Sequence, residues 1–291
     1  MKFNTQHYDC ARCKLNTTKL LFVKQGFSIV QCKNCNFVYV NPRIADEQLA
    51  DIYKHNYFSN NDYGYNGYEQ EKRLRVKNFQ KWLNAVKRFI PTNNNIRTLD
   101  IGCAAGYCLD VMKINGWQAE GIELDEAMCV SLNNKGFKVS SSGLNNFKNQ
   151  DKYNVITLFD VLEHLPDVDG VFQRIYNLTA DEGIVVVVTP NHGSIQRKLM
   201  GKKWFQYKPV EHIQYFTLDS MTAFAERNQF KIIYNSGCGQ FADTDFLINR
   251  LQYYNFSFPA YLLAKCLKIL HLNNRFFYIN TGSLFVVLKK S

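Results

Sequence analysis

Across residues 97–236 short apolar runs alternate with amphipathic segments, and no other feature of this 291-residue chain restricts its fold as much. Residues 97–101, 118–123, 153–159, 184–189 and 230–234 read as strands, since each is short and carries its apolar residues without helical spacing. Between them, residues 107–115, 126–135, 168–178 and 218–228 read as helices; Gly116 and Gly136 stop the first two, and Thr217 caps the last. The strands do not alternate apolar with polar residues, so both their faces are expected to be covered. That is the pattern of a parallel sheet with helices on both sides, an α/β fold. Residues 283–289 supply one more strand.

The flanks differ in character. Residues 1–42 are short, polar and cysteine-bearing, and read as a small separate module closed by Asn41-Pro42. Residues 43–96 form a helical lead-in, with helices expected over 46–57 and 68–90; Leu74, Val76, Phe79, Trp82, Leu83 and Val86 recur on one helical face. Asn93-Asn94-Asn95 reads as a loop, and Tyr53, Tyr57, Phe58, Tyr63, Tyr65 and Tyr68 as aromatic packing or a lid. Residues 97–291 then make the main domain, interrupted by an aromatic, basic insert, 241–278, with helical spacing. With 46% hydrophobic residues the chain can bury a core, which excludes extensive disorder. Its best candidate for a membrane span, residues 259–270, is cut by Lys265 and Lys268. Residues 1–10 carry no apolar secretory run, so a cytoplasmic protein is expected.

Nine cysteines sharpen this. Cys10-x-x-Cys13 and Cys32-x-x-Cys35, 18 residues apart, have the spacing of a four-thiolate zinc site, whose filled coordination would make the metal structural. Metal-free thiols are the competing reading. The other five, Cys103, Cys108, Cys129, Cys238 and Cys266, are scattered, as small buried hydrophobes are.

The run Thr98-Leu99-Asp100-Ile101-Gly102-Cys103-Ala104-Ala105-Gly106 is a strand ending in a small-residue turn that opens a helix. Gly102 and Gly106 let a ligand approach the backbone, and the helix offers unpaired N–H groups. Asp100 stands where the strand finishes, and Glu123 closes the next strand, where a carboxylate can accept both hydroxyls of a ribose. Tyr107 occupies the third glycine position of a dinucleotide fingerprint, which disfavours pyrophosphate. The shorter turn suits a nucleoside that carries an amino acid group and a sulfonium.

Here the sequence resembles a known family. Asp100 to Gly106, Glu123, and Phe159-Asp160-Val161-Leu162-Glu163-His164-Leu165 look like motifs of class I S-adenosylmethionine-dependent methyltransferases. The cysteine pairs ahead of Asn41-Pro42-Arg43, with Pro209-Val210-Glu211-His212-Ile213-Gln214-Tyr215-Phe216-Thr217, resemble the branch bearing an N-terminal zinc-ribbon-like segment, many of whose members modify sugars, polysaccharides or small metabolites. The resemblance implies a Rossmann-like, seven-stranded, mostly parallel sheet whose last strand is antiparallel. It also implies two cofactors, S-adenosylmethionine and structural zinc. Asp100 and Gly102 would flank the methionine portion of the cofactor, Glu123 would hold the ribose, Leu124 would lie against the adenine, Asp160 and Val161 would border the methyl-donor end, and Cys103 and Gly106 would also bind the cofactor. Ala104 stands where the family usually has glycine.

A hydroxyl acceptor must lose its proton, and His212 as base with His164 orienting substrate are the candidates, with His192 third. A sugar, glycan or small metabolite is the expected acceptor. The net charge of 35 − 25 = +10 favours anionic partners. Arg197, Lys198, Lys202, Lys203 and Lys208 around Trp204 could hold a phosphate-bearing acceptor or an acidic membrane surface, or be solvated. Two alternatives are an RNA methyltransferase and a non-catalytic zinc-ribbon adaptor on a degenerate nucleoside-binding core.

Overall fold

The computed structural model describes residues 3–55, 71–90, 95–149, 151–244 and 276–291, with positions 248, 261–262, 265–267 and 269 between the last two. Five short strands open the chain: β1 (Thr5–Gln6), β2 (Thr18–Lys24), β3 (Phe27–Cys32), β4 (Val38–Val40) and β5 (Arg43–Ile44). Gln25 and Gly26, both at positive φ (51° and 81°), join β2 to β3 as a two-residue hairpin. β4 pairs antiparallel with β3, and β1 with β5. Helix α1 (Asp46–His55) follows, with Asp46 and Glu47 in its first turn complementing the helix dipole and Leu49 and Ile52 buried.

In α2 (Lys72–Val86) the expected stripe of Leu74, Phe79, Trp82, Leu83 and Val86 is buried. Asn78 shares that face because its side-chain oxygen accepts the Phe241 N–H at 2.6 Å, tying α2 to a sheet edge. The alternating region then runs β6 (Arg97–Ile101), α3 (Tyr107–Ile114), β7 (Gln118–Ile122), α4 (Glu126–Asn134), β8 (Lys138–Ser140), α5 (Gly143–Asn146), β9 (Tyr153–Phe159), α6 (Val168–Leu178), β10 (Thr179–Pro190), α7 (Ile195–Met200), β11 (Gln214–Tyr215), α8 (Leu218–Arg227), β12 (Phe230–Ala242) and β13 (Phe277–Lys290).

Seven of these strands make one sheet in the order β12-β13-β10-β9-β6-β7-β8. β8, β7, β6, β9 and β10 are parallel, and β13 is antiparallel to both its neighbours. Successive residues of β10 explain the absence of polar alternation. Val185 and Val187 enter a core with α6 and α8, whereas Ile184, Val186 and Val188 enter a second core with α2 and α3. The β12–β13 ladder takes in Phe241 and Tyr278, which the sequence reading assigned to the insert. The rest of the insert, apart from the scattered positions above, lies outside the described residues, as do Tyr57, Phe58, Tyr63, Tyr65, Tyr68, Asn93 and Asn94.

The cysteine-bearing strands are built into the main domain. β11 adds to β4, giving a four-stranded sheet β11-β4-β3-β2. Phe37 packs its ring edge on Phe216 and Phe224, each at 5.6 Å. Arg12 pairs with Asp219 at 2.6 Å and Lys14 with Asp169 at 2.8 Å across the same junction.

Candidate active site

Strand β6 delivers Asp100 to the carboxyl edge of the sheet, 3% exposed, where its Oδ1 accepts from Thr157 on β9. Burial raises its pKa to about 7, against the hydrogen bonds from Thr157 and Cys108, and the nearby Glu123 charge adds to the rise. The turn that follows has no room for larger residues. Gly102 is at φ 74°, and a Cβ there would meet Val161 Cγ2 at 2.6 Å; Gly106 is at φ 79°, and its Cβ would meet Leu132 at 2.4 Å. Ala104 adopts φ 46°, a conformation that favours glycine.

Ala104 is held there by its N–H, which donates to Glu123 Oε2 at 2.8 Å. Glu123 Oε1 accepts from the N–H groups of Leu124 (2.7 Å) and Asp125 (3.0 Å). One carboxylate therefore bridges the ends of β6 and β7. Burial pushes its pKa up, opposed by those three N–H bonds. The Cys103 thiol turns away, into the packing beneath Gly121, and burial holds it protonated. Leu124 lies on the other side, next to Gly143. Asp160, just beyond β9, sits at φ 55° with its N–H bound to the Val188 carbonyl at 2.8 Å. Burial raises it to about 6, while Arg75 and Lys208 pull it down. The structure thus brings Asp100, Gly102, Glu123 and Val161 to one rim.

The same rim carries the two histidines. A 3-10 turn, Leu162–His164, presents Glu163 and His164, both buried. His212 lies in a separate turn, closed by its N–H to the Lys208 carbonyl at 2.7 Å, and that turn is pinned to the first by Ile213 N–H to Glu163 O at 3.0 Å. The rings of His164 and His212 meet edge to face at 4.8 Å. Burial, reinforced by Lys208, lowers His164 to about 3. Burial, with His164 and Lys208, takes His212 well below its usual range. Both are neutral at pH 7. His192 is elsewhere, its Nε2 bonded to Tyr207 at 2.9 Å beside Trp204, so it belongs to the aromatic core.

Two residues gain a place that the sequence reading did not give them. The Tyr53 hydroxyl is 2.7 Å from His164 Nδ1, though Tyr53 was one aromatic among several. Lys208, counted with a basic loop, acts electrostatically on Asp160, Glu163, His164 and His212. The rest of that loop is engaged otherwise: Arg197 donates to the His192 carbonyl at 2.7 Å, and Trp204 is fully buried.

The four N-terminal thiols converge. Cys10 Sγ lies 3.5 Å from Cys35 Sγ, and Cys13 Sγ 3.4 Å from Cys32 Sγ. Tetrahedral Zn–S bonds of about 2.3 Å place sulfurs about 3.8 Å apart, so the set fits zinc. The two turns that carry them repeat each other: Lys14 N–H bonds Cys10 O and Asn36 N–H bonds Cys32 O, with Lys14 and Asn36 both at φ 61°.

Residues 74–235 match the profile of a family described as "methyltransferase domain". That match spans more than half the chain, and the chain belongs to this family. It is an S-adenosylmethionine-dependent methyltransferase of the class I fold. A solved structure of an S-adenosylmethionine-dependent methyltransferase from Clostridium acetobutylicum aligns at 13% identity and TM-score 0.51, covering 78% of this chain and 100% of that one. The PH0226 protein of Pyrococcus horikoshii aligns at 11% identity and TM-score 0.50, covering 76% and 92%. Both likenesses are of fold. No curated protein sequence matches the chain.

Proposed function

We propose that this methyltransferase methylates a hydroxyl group of a sugar, glycan or small metabolite. The supporting observation is the edge-to-face pair of buried imidazoles, His164 and His212, beside Asp160 and Val161. Asp100, Gly102, Cys103 and Gly106 hold the methionine end of the cofactor through backbone and carboxylate, Glu123 the ribose and Leu124 the adenine. The acceptor oxygen then faces the methyl group at Asp160 and Val161, with the histidines handling its proton. When bound, the cofactor would supply a methyl group on a positively charged sulfur, which would keep the electron pair of the broken carbon–sulfur bond and leave as a neutral thioether. Holding the two reactants in line supplies about 7–11 kcal/mol of the barrier lowering.

The test is mass spectrometry of sugars, phosphorylated sugars, glycans and RNA after incubation with isotopically labelled cofactor. A labelled hydroxyl on a sugar or small metabolite is expected; labelling of RNA alone, falling steeply with salt, would replace this reading with the nucleic-acid one. His212→Ala should keep cofactor affinity and lose at least about a hundredfold in kcat. Full activity would remove His212 from the mechanism.

Cofactor binding should also depend on pH. The empty protein protonates Asp100 as pH falls through about 7, because burial disfavours its charge. The cofactor ammonium needs the ionised form, so binding below that pH must expel a proton. Affinity should therefore plateau above pH 7 and fall about tenfold per unit below it. Calorimetry between pH 5.5 and 8.5 reads this; Asp100→Asn should flatten the profile, and a flat wild-type profile would refute the assignment.

A further inference from the structure

We propose that α7 and the turn after it form a docking surface for an anionic lipid membrane. Ser194 caps α7 by accepting the Arg197 N–H at 3.1 Å, and the short helix has two unlike faces. On the inner one, Arg197 donates to the His192 carbonyl, Gln196 Nε2 donates to the Asn280 carbonyl at 3.1 Å, and Met200 packs against the core that holds Trp204. On the outer one stand Ile195, Lys198 and Leu199, whose i, i+3 and i+4 spacing puts them side by side. Ile195 is 69% exposed and Leu199 82%. The 3-10 turn Gly201–Lys203 adds two exposed lysines, Lys202 and Lys203, and the fully buried Trp204 behind them anchors it.

Single exposed aliphatic residues are ordinary on a protein surface, but here two share one helical turn with a lysine, and two more lysines follow. No Asp or Glu occurs between residues 183 and 210. None of Lys198, Lys202 and Lys203 pairs with a carboxylate of any described residue; Lys202 lies instead 5.8 Å over the Phe22 ring. Cations without acids, set around apolar side chains, complement a bilayer surface. Its acyl region takes Ile195 and Leu199, and its phosphates take the ammonium groups at the ends of their flexible stems. Nucleic acid offers the phosphates without the apolar layer. A second copy of a chain charged +10 brings like charge to the same lysines.

The patch belongs to the segment that builds the acceptor side of the site. That segment leaves the sheet where β10 ends at Pro190, next to Thr189, whose hydroxyl donates to Glu163, and it finishes at His212. Docking through it keeps the acceptor side beside the bilayer, so the acceptor class becomes a glycan hydroxyl carried on a lipid. That consequence rests on the hydroxyl reading above; membrane docking does not.

Full-length protein with zinc on its cysteines is mixed with vesicles of phosphatidylcholine, either alone or with phosphatidylglycerol, and the bound fraction is read by flotation. Binding to the anionic vesicles alone is expected, weakening as salt rises. A lysine near such a surface adds about fivefold, so Lys198→Gln, Lys202→Gln and Lys203→Gln together should lose about a hundredfold. Leu199→Gln should lose about tenfold. Lys87→Gln, Lys113→Gln and Lys135→Gln, the same exchange at three exposed lysines elsewhere, should together cost less than about threefold, because salt screens distant charges. Zinc content and cofactor affinity report folding; if the triple variant at the patch loses either, Leu199→Gln and the wild type decide. No binding to anionic vesicles, or equal loss in the two triple variants, overturns the surface. Binding indifferent to Leu199→Gln, with RNA held by the same lysines, reassigns the patch to nucleic acid and overturns it as well, as does a dimer that Leu199→Gln disperses. Vesicle binding with only soluble acceptors methylated would refute the lipid-borne acceptor and leave the docking surface standing; a methylated lipid-linked glycan without vesicle binding would do the reverse.

Discussion

Glu123→Gln is expected to lower the affinity for S-adenosylmethionine by at least about a hundredfold while the protein stays folded. On the proposed assignment Glu123 has two tasks in one carboxylate. It accepts three backbone N–H groups, from Ala104, Leu124 and Asp125, and keeps lone pairs for the ribose diol. An amide cannot do both. If its nitrogen replaces Oε2, a donor faces the Ala104 N–H and the turn at φ 46° loses the bond that steadies it. If its nitrogen replaces Oε1, two donors face each other at Leu124 and Asp125. Either way one ribose hydroxyl meets a donor rather than a charged acceptor, and hydrogen bonds to charged groups are worth about 1.5–3 kcal/mol each. The other hydroxyl keeps only a neutral acceptor, and two contacts weakened in this way reach the factor of a hundred. Calorimetry with cofactor alone checks it, and a change of less than about threefold would take Glu123 off the ribose.

The position of that carboxylate was legible because it closes a short strand-like run, Gln118 to Ile122, and precedes a helix capped by Asp125, whose side chain accepts the Met128 N–H at 2.9 Å. Helices α6 and α8 were equally legible: their apolar faces are continuous, and Thr217 and Ser220 form a complete capping box. β8 was not. It has three residues, of which only Val139 is buried, and its strand character comes from pairing with β7. β11 is two residues long and exists as a strand only because β4 lies beside it, a partner about 175 residues away in sequence that no local pattern reveals. The roles of Tyr53 and Glu163 were hidden for the same reason. Glu163 stands beside His164 in the sequence, yet its bonds to Thr189 and Ile213 come from segments distant along the chain.

The long-range pairing of β4 with β11 leads to the second large effect. Cys32→Ser, or removal of metal by a strong chelator, is expected to lower the melting temperature by at least about 5 °C and to abolish turnover while leaving cofactor affinity within about threefold. Cys10 and Cys32 are fully buried, so a metal-free cluster leaves thiols packed without the bonds that converge them. Structural zinc supplies about 10–16 kcal/mol in isolated zinc fingers, and recovering a third of that here would move the midpoint of a chain this size by about 5–9 °C. The effect on turnover follows from connectivity. β4 donates Val40 N–H to Ile213 O at 3.0 Å, Ile213 N–H reaches Glu163 O at 3.0 Å, and His212 is the residue before it. Loosening β4 therefore loosens the turn that sets His212 against His164. The cofactor turn hangs on β6 and β7 instead, whose bonds to Glu123 do not pass through the cysteine strands. Zinc analysis, a thermal scan and a cofactor titration on one preparation measure all three quantities. Loss of cofactor affinity in step with turnover would show that the cysteine module supports the whole sheet rather than the acceptor side of it.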